Sequence, residues 1–241
     1  MDLFLKEVHS RLCSYAKQQP LIKSEEPITR LKLPVPIVRK AVKKPCAYSF
    51  VSQSEMTVVQ IWDYIWKHTP YFEVMSQSLY FYQGKTLLQE EFDLIQTWIE
   101  RCTCWEHSDD LSKIYAQVFE ENPQWLLPLY KKWNHSRCRW KRRQSIVGLL
   151  EYASKRKKVL PFEDLICFVD ALLADEEYYV QKGIGWTLRE IYNVYPEQTL
   201  KYFEENLSKI SPIAYSAATE KLEKATKKKL KEQRKQQRKQ T

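Results

Sequence analysis

In the stretch CTCWEHSDDLSK, residues 102–113, a tryptophan stands four positions ahead of an aspartate. Side by side at the mouth of a helix, Trp105 and Asp109 would offer a π face and a carboxylate to one cationic target. A helix beginning at Ser108 or Asp109 would instead make the acid an N-cap that accepts backbone protons and complements the positive helix end. The two readings do not exclude each other. A second stretch, SRCRWKRRQSIVGLLEY (136–152), opens with Arg137, Arg139, Lys141, Arg142 and Arg143, followed by the apolar Ile146, Leu149 and Leu150. Five cations at a helix start oppose the macrodipole, and that conflict points towards a phosphate that would neutralise them. In the third, EEYYVQKGIGWTLREIY (176–192), Lys182, Trp186 and Arg189 fall on one side of a helix, while Val180, Ile184, Leu188 and Ile191 occupy another. Gly183 and Gly185 weaken that helix, so something is expected to pack closely against them.

Cys102, Cys104, His107, His135 and Cys138 give C-x-C-x-x-H and H-x-x-C spacings, which match none of the familiar zinc patterns. The phosphate-cradling G-x-x-x-x-G-K-[ST], the dinucleotide G-x-G-x-x-G and the G-x-S-x-G elbow are all missing from the sequence. No metal and no cofactor is expected.

Helices must position these groups. The chain has four glycines in 241 residues, too few for a fold built on tight hairpins. Apolar residues recur at three- and four-residue spacing, as in Ile61, Trp62, Ile65 and Trp66. The pattern predicts helices at about 2–18, 35–44, 55–68, 72–83, 87–101, 109–121, 124–133, 139–155, 161–173, 177–193, 197–206 and 212–236. Pro70, Pro123, Pro161, Pro196 and Pro212 mark helix starts. Leu21–Pro36 gathers proline and charge and reads as an ordered loop or surface arm. Short antiparallel helices with one-sided apolar stripes are what stacked HEAT-like pairs need to bury a shared core.

The formal charge is +9, from 39 Lys and Arg against 30 Asp and Glu, which makes a polyanionic partner plausible. Residues 221–241 alone hold ten Lys or Arg and two Glu, so the preceding chain is almost neutral. That tail reads as a solvated or partly helical arm with non-specific affinity for nucleic acid. The first residues, MDLFLK, lack a signal-peptide pattern, no apolar run reaches spanning length, and the six cysteines are scattered. A cytoplasmic protein with reduced thiols and no membrane segment is expected.

WEHSDDL (105–111), WKRRQSIVGLLEY (140–152), VQKGIGWTLRE (180–190) and LSKISPIAYSAATEKL (207–222) together resemble the bacterial AlkD-like DNA alkylation repair family. LPVPIVRKAVKK (33–44) adds a weaker likeness. The resemblance implies an all-α fold, a curved α-solenoid of stacked antiparallel HEAT-like helical pairs over residues 1–222, with 223–241 as a basic tail. It implies a monomeric, monofunctional glycosylase acting on alkylated double-stranded DNA. Asp109 would be the catalytic carboxylate, Trp105 and Trp186 the aromatic walls of the lesion cleft, and Arg143 a backbone anchor. Arg139, Arg142, Lys182 and Arg189 would join Arg143 in holding DNA. Cys104 stands where relatives often carry a second aromatic, and Asp110 is an alternative reactive acid. The rival readings are a DNA- or RNA-binding helical scaffold without catalysis and a HEAT-type module for acidic protein partners.

Overall fold

The computed structural model describes residues 1–15, 28–43 and 48–240, the side chains of 238–240 excepted. Part of the expected arm (21–27), the ends of two expected helices (16–18 and 44) and Cys46 lie outside the described residues. The all-α expectation holds among the described residues, where extended pairing amounts to an isolated bridge between Thr29 and Tyr71. The five described cysteines are all thiols. The chain divides into two compact units, Met1–Ile114 and Tyr115–Thr241.

The first unit is built from α1 (Asp2–Tyr15), α2 (Val35–Val42), α3 (Glu55–His68), α4 (Phe72–Tyr82) and α5 (Gln89–Ile95). It also holds the start of α6 (Trp105–Glu121). Ser54 caps α3 by accepting the Thr57 amide proton at 3.3 Å. The apolar periodicity of α3 becomes the centre of the core, with Val59, Trp62, Ile65 and Trp66 fully buried. Trp66 Nε1 donates to the Trp98 carbonyl at 3.1 Å, and Trp98 Nε1 donates to Asp63 at 2.8 Å. Both indole N–H groups therefore keep a partner on burial, which removes a desolvation cost of about 1–3 kcal/mol each.

The second unit holds the rest of α6, then α7 (Pro123–Asn134), α8 (Arg139–Val147), α9 (Phe162–Asp170) and α10 (Tyr178–Val194). It continues through α11 (Pro196–Asn206), α12 (Pro212–Ala218) and α13 (Lys224–Gln240). Proline opens α7, α11 and α12, where its missing amide proton costs no hydrogen bond. The hub is α10, packed on α8, α9, α11 and α12. Its Val180, Ile184, Leu188 and Ile191 are wholly buried, as the stripe predicts.

The two glycines of α10 show why they are there. A Cβ on Gly185 would lie 2.7 Å from Ala217 Cβ and 3.0 Å from the Ala214 carbonyl carbon, so α12 crosses at backbone contact. Gly185→Ala is expected to lower the free energy of unfolding by about 1–3 kcal/mol, read from urea denaturation, because backbone has to move.

Four element boundaries depart from the sequence reading. The helix expected at 139–155 ends at Val147, because Gly148 sits against the Tyr130 hydroxyl and Tyr152 then turns the chain at φ 49°. The helix expected at 87–101 is α5 followed by a 3-10 turn, Gln96–Arg101. The one expected at 212–236 is two helices broken after Ala218. The one expected from 109 starts at Trp105.

Candidate functional site

The early start of α6 decides what Asp109 is. Ser108 N–H donates to the Cys104 carbonyl at 3.3 Å, so the helix is already running when it reaches Asp109. Asp109 is therefore not the N-cap. It stands one turn after Trp105 on the same face. Trp105 is 47 % exposed and Asp109 half-buried, so an indole and a carboxylate are displayed together near the positive end of the helix. The acid of the first turn is Glu106, paired with Arg30 at 3.1 Å, whose guanidinium lies 3.9 Å from the centre of the Phe72 ring.

Asp110 faces another way. It is buried, and its Oδ1 accepts from Lys113 Nζ at 2.7 Å and from Gln83 Nε2 at 3.0 Å, with Arg39 at 3.7 Å. Tyr80 belongs to the same group, its hydroxyl pushed up to about 12 by burial and then by the Asp110 charge. Asp110 thus ties α6 to α2 and α4. Asp110→Asn keeps the shape and removes the charge, so it is expected to cost about 1–3 kcal/mol of stability in a denaturant titration.

His107, one of the residues weighed as a metal ligand, is a core side chain. Its ring stacks on Phe72 at 4.1 Å, and its Nε2 shares a 3.0 Å hydrogen bond with the Ser76 hydroxyl. Burial, reinforced by Arg30 and Arg101, pushes its pKa down to about 3. Cys102 and Cys104 are buried too, the Cys102 thiol donating to the Cys104 carbonyl at 3.3 Å.

In the second unit, α8 and α10 bring Arg143 to Gly183. Arg143 is only 5 % exposed, and its Nη1 donates to the Tyr179 carbonyl at 2.7 Å. A Cβ on Gly183 would stand 3.1 Å from that same nitrogen and 3.3 Å from Arg143 Cγ. Gly183 therefore makes the room in which the guanidinium is fixed. Trp186 and Lys182 share the half-buried face of α10 with Arg189, as the spacing predicts.

The other arginines are more committed than the sequence suggests. Arg142 donates through Nε and Nη2 to the two oxygens of Asp175, at 2.5 and 3.2 Å, and through Nη1 to the carbonyls of Ser136 and Arg137. Arg139 faces Glu177 at 3.4 Å, and Arg189 pairs with Glu220 at 2.6 Å. The counter-ions come from the acidic run 175–177 and from Glu220, all remote in sequence, so a search for acids one turn away misses them.

Tyr152 is a residue the sequence reading missed. It is 44 % exposed, its ring stands edge-on to Trp186 with centroids 6.0 Å apart, and Lys155 Nζ lies 4.7 Å from its centre. Its left-handed backbone is followed by a peptide group held at both its polar atoms, since the Ala153 amide donates to Glu190 at 3.0 Å and the Lys155 amide to the Tyr152 carbonyl at 2.8 Å. Nothing in the local sequence announces it, because the helical pattern runs through it.

The model of a family described as DNA alkylation repair enzyme matches residues 20–222 of this chain. The chain belongs to that family. Among solved structures, AlkD2 from Streptococcus mutans has a TM-score of 0.62 at 15 % identity, covering 91 % of this chain and 99 % of its own. The protein smu.31 from Streptococcus mutans UA159 has a TM-score of 0.61 at 14 % identity, covering 91 % of this chain and all of its own. These likenesses make the fold that of the AlkD-type helical repeat proteins. No curated protein matches. Membership makes alkylation repair the function class and DNA the substrate class. Among the described residues, no helix is long and apolar enough to cross a membrane.

Proposed function

We propose that the chain is a monofunctional DNA glycosylase that releases cationic N3- or N7-alkylated purines by hydrolysing the N-glycosidic bond. The observation that carries this reading is the display of Trp105 and Asp109 on one face of α6.

An alkylated purine of this kind already carries a positive charge. When the bond from C1′ to the base nitrogen breaks, its electron pair goes to the base, which leaves neutral and requires no general acid. Positive charge then moves to the deoxyribose as an oxocarbenium ion. A fixed carboxylate beside C1′ stabilises that ion and orients the water that adds to C1′, losing a proton, as in glycoside hydrolysis. We assign this role to Asp109. To the face of Trp105 we assign attraction for the cationic nucleoside and then for the charged sugar, and to Trp186, on the second unit, an aromatic contact with the DNA. The product is an abasic site in an unbroken strand, since the reading invokes no lysine Schiff base.

To Arg143, prefixed by Tyr179 and Gly183, we assign a backbone phosphate, with Lys182 next to Trp186 adding charge. Arg139, Arg142 and Arg189 serve first to order their surface, since a phosphate would have to compete with Glu177, Asp175 and Glu220.

The test is incubation of the purified chain with a duplex containing one 7-methylguanine, followed by chromatography of free base. Release of 7-methylguanine supports the glycosylase. Binding without release supports the non-catalytic scaffold, and neither binding nor release supports recognition of a protein.

A further inference from the structure

The family match ends at residue 222, and the chain continues into α13. Its residues are good helix formers, but its charges repel one another along the helix. One acid, Glu232, stands among the cations of 224–240, and no acid occupies the first turn. Lys224 and Lys228, Lys227 and Lys231, and Lys231 and Lys235 are like charges one turn apart, each pair costing roughly 0.2–0.5 kcal/mol in an isolated helix.

Docking within the second unit holds α13 in place. Leu230 is 1 % exposed and Arg234 7 %. Arg234 Nη2 donates to the Ile210 carbonyl at 2.5 Å, and its guanidinium lies 4.3 Å from the centre of the Tyr215 ring. Gln237 Nε2 donates to the Glu204 carbonyl at 2.7 Å, while Lys229 pairs with the Glu204 carboxylate at 2.8 Å. The segment expected as a solvated or partly helical arm is helical, and its contacts fix it to the second unit.

Docking one face fixes what the other displays. Lys224, Lys228, Lys231 and Lys235 are all exposed, and at helical spacing they fall within a sector of roughly 60°, turned away from Leu230, Arg234 and Gln237. Among the described residues, none of the four side chains has a hydrogen bond or ion pair. The row is about 16 Å long at 1.5 Å per residue, the axial length over which one strand of a duplex presents four or five phosphates. It is linear, cationic and without aromatic side chains, which suits a backbone and gives no means to read bases.

We propose that α13 is a docked cationic rail, its four-lysine row gripping the phosphate backbone of double-stranded DNA without regard to sequence. The inference rests on the reading that the substrate is duplex DNA. It adds a second, lesion-independent contact that holds the protein on undamaged duplex.

The test is the salt dependence of affinity for an undamaged duplex, measured on the full chain and on a variant with all four lysines changed to Gln, with base release from a 7-methylguanine duplex measured alongside. Loss of four phosphate contacts should flatten the slope of log K against log salt by about 3–4, so wild-type affinity falls roughly 100-fold more than the variant's between 50 and 200 mM salt. The four-fold Lys→Arg variant should keep the wild-type slope. The Gln variant should melt no earlier than wild type, because like-charge pairs have been removed.

Equal slopes for wild type and the Gln variant overturn the rail. So does selective loss of binding to phosphatidylserine vesicles with duplex binding intact, which would make the row a membrane contact. A flattened slope in a protein that releases no base keeps the rail and rejects the glycosylase, whereas release with equal slopes does the reverse.

Discussion

Asp109→Asn is expected to reduce single-turnover release of 7-methylguanine by about 10²–10³-fold, the scale on which removal of one preorganised electrostatic group slows charge-developing chemistry. Affinity for undamaged duplex should change little, since Asp109 contributes no positive charge to phosphate binding. The substitution removes charge at a fixed place. Asn has nearly the shape of Asp but cannot offset an oxocarbenium ion, so the loss belongs to kcat and not to binding. Asp110→Asn supplies the contrast, because its carboxylate already serves Lys113, Gln83 and Arg39. That variant should lose stability and keep the release rate once folded. Should Asp110→Asn abolish release while Asp109→Asn retains it, the assignment of roles on α6 is inverted.

The second large effect is acid lability of the first unit through His107. Burial holds its folded pKa at about 3, against an ordinary value of 6.5. Below pH 6.5 the unfolded chain takes up a proton at this position, and the folded chain does so only near pH 3. The stability contributed by the neutral, stacked ring is therefore complete above pH 6.5 and lost as pH falls from 6.5 towards 3. At about 1.4 kcal/mol per pH unit, His107 alone should lower stability by roughly 2–3 kcal/mol between pH 7 and pH 4.5. Urea titrations at those two pH values should show that drop in wild type and a clearly smaller one in His107→Gln, which has no proton to take up. The same pH dependence in both proteins would show that the ring is not the acid-sensitive group.

Helical class and most helix positions were legible because apolar residues at helical spacing, as in α3 and α10, are written locally. The face of α10 carrying Lys182, Trp186 and Arg189 was legible for the same reason. The two glycines announced close packing, and the structure names the partners as Arg143 and α12. What sequence could not give depends on contacts between distant segments. The start of α6 was misplaced because Ser108 and Asp109 make good caps, yet the 3-10 turn ends at Arg101 and the helix begins at Trp105. The commitment of Arg142 needs Asp175, 33 residues away. Tyr152 is invisible because a non-glycine residue in the left-handed region is imposed by its surroundings, here the Glu190 carboxylate and the 3-10 turn Ala153–Lys155. The docking of the partly helical tail was not legible because its few anchors, Leu230, Arg234 and Gln237, are outnumbered by lysine.

Fixed negative charge speeds departure only if the leaving base is already electron-poor, and one comparison isolates that requirement. Single-turnover release should be measured from two duplexes of identical sequence, one carrying 7-methylguanine and the other hypoxanthine, a neutral purine. Rapid loss of the methylated base with hypoxanthine left in place is the outcome that a carboxylate acting without a general acid predicts. Equal release from both duplexes, or release from neither, would contradict it.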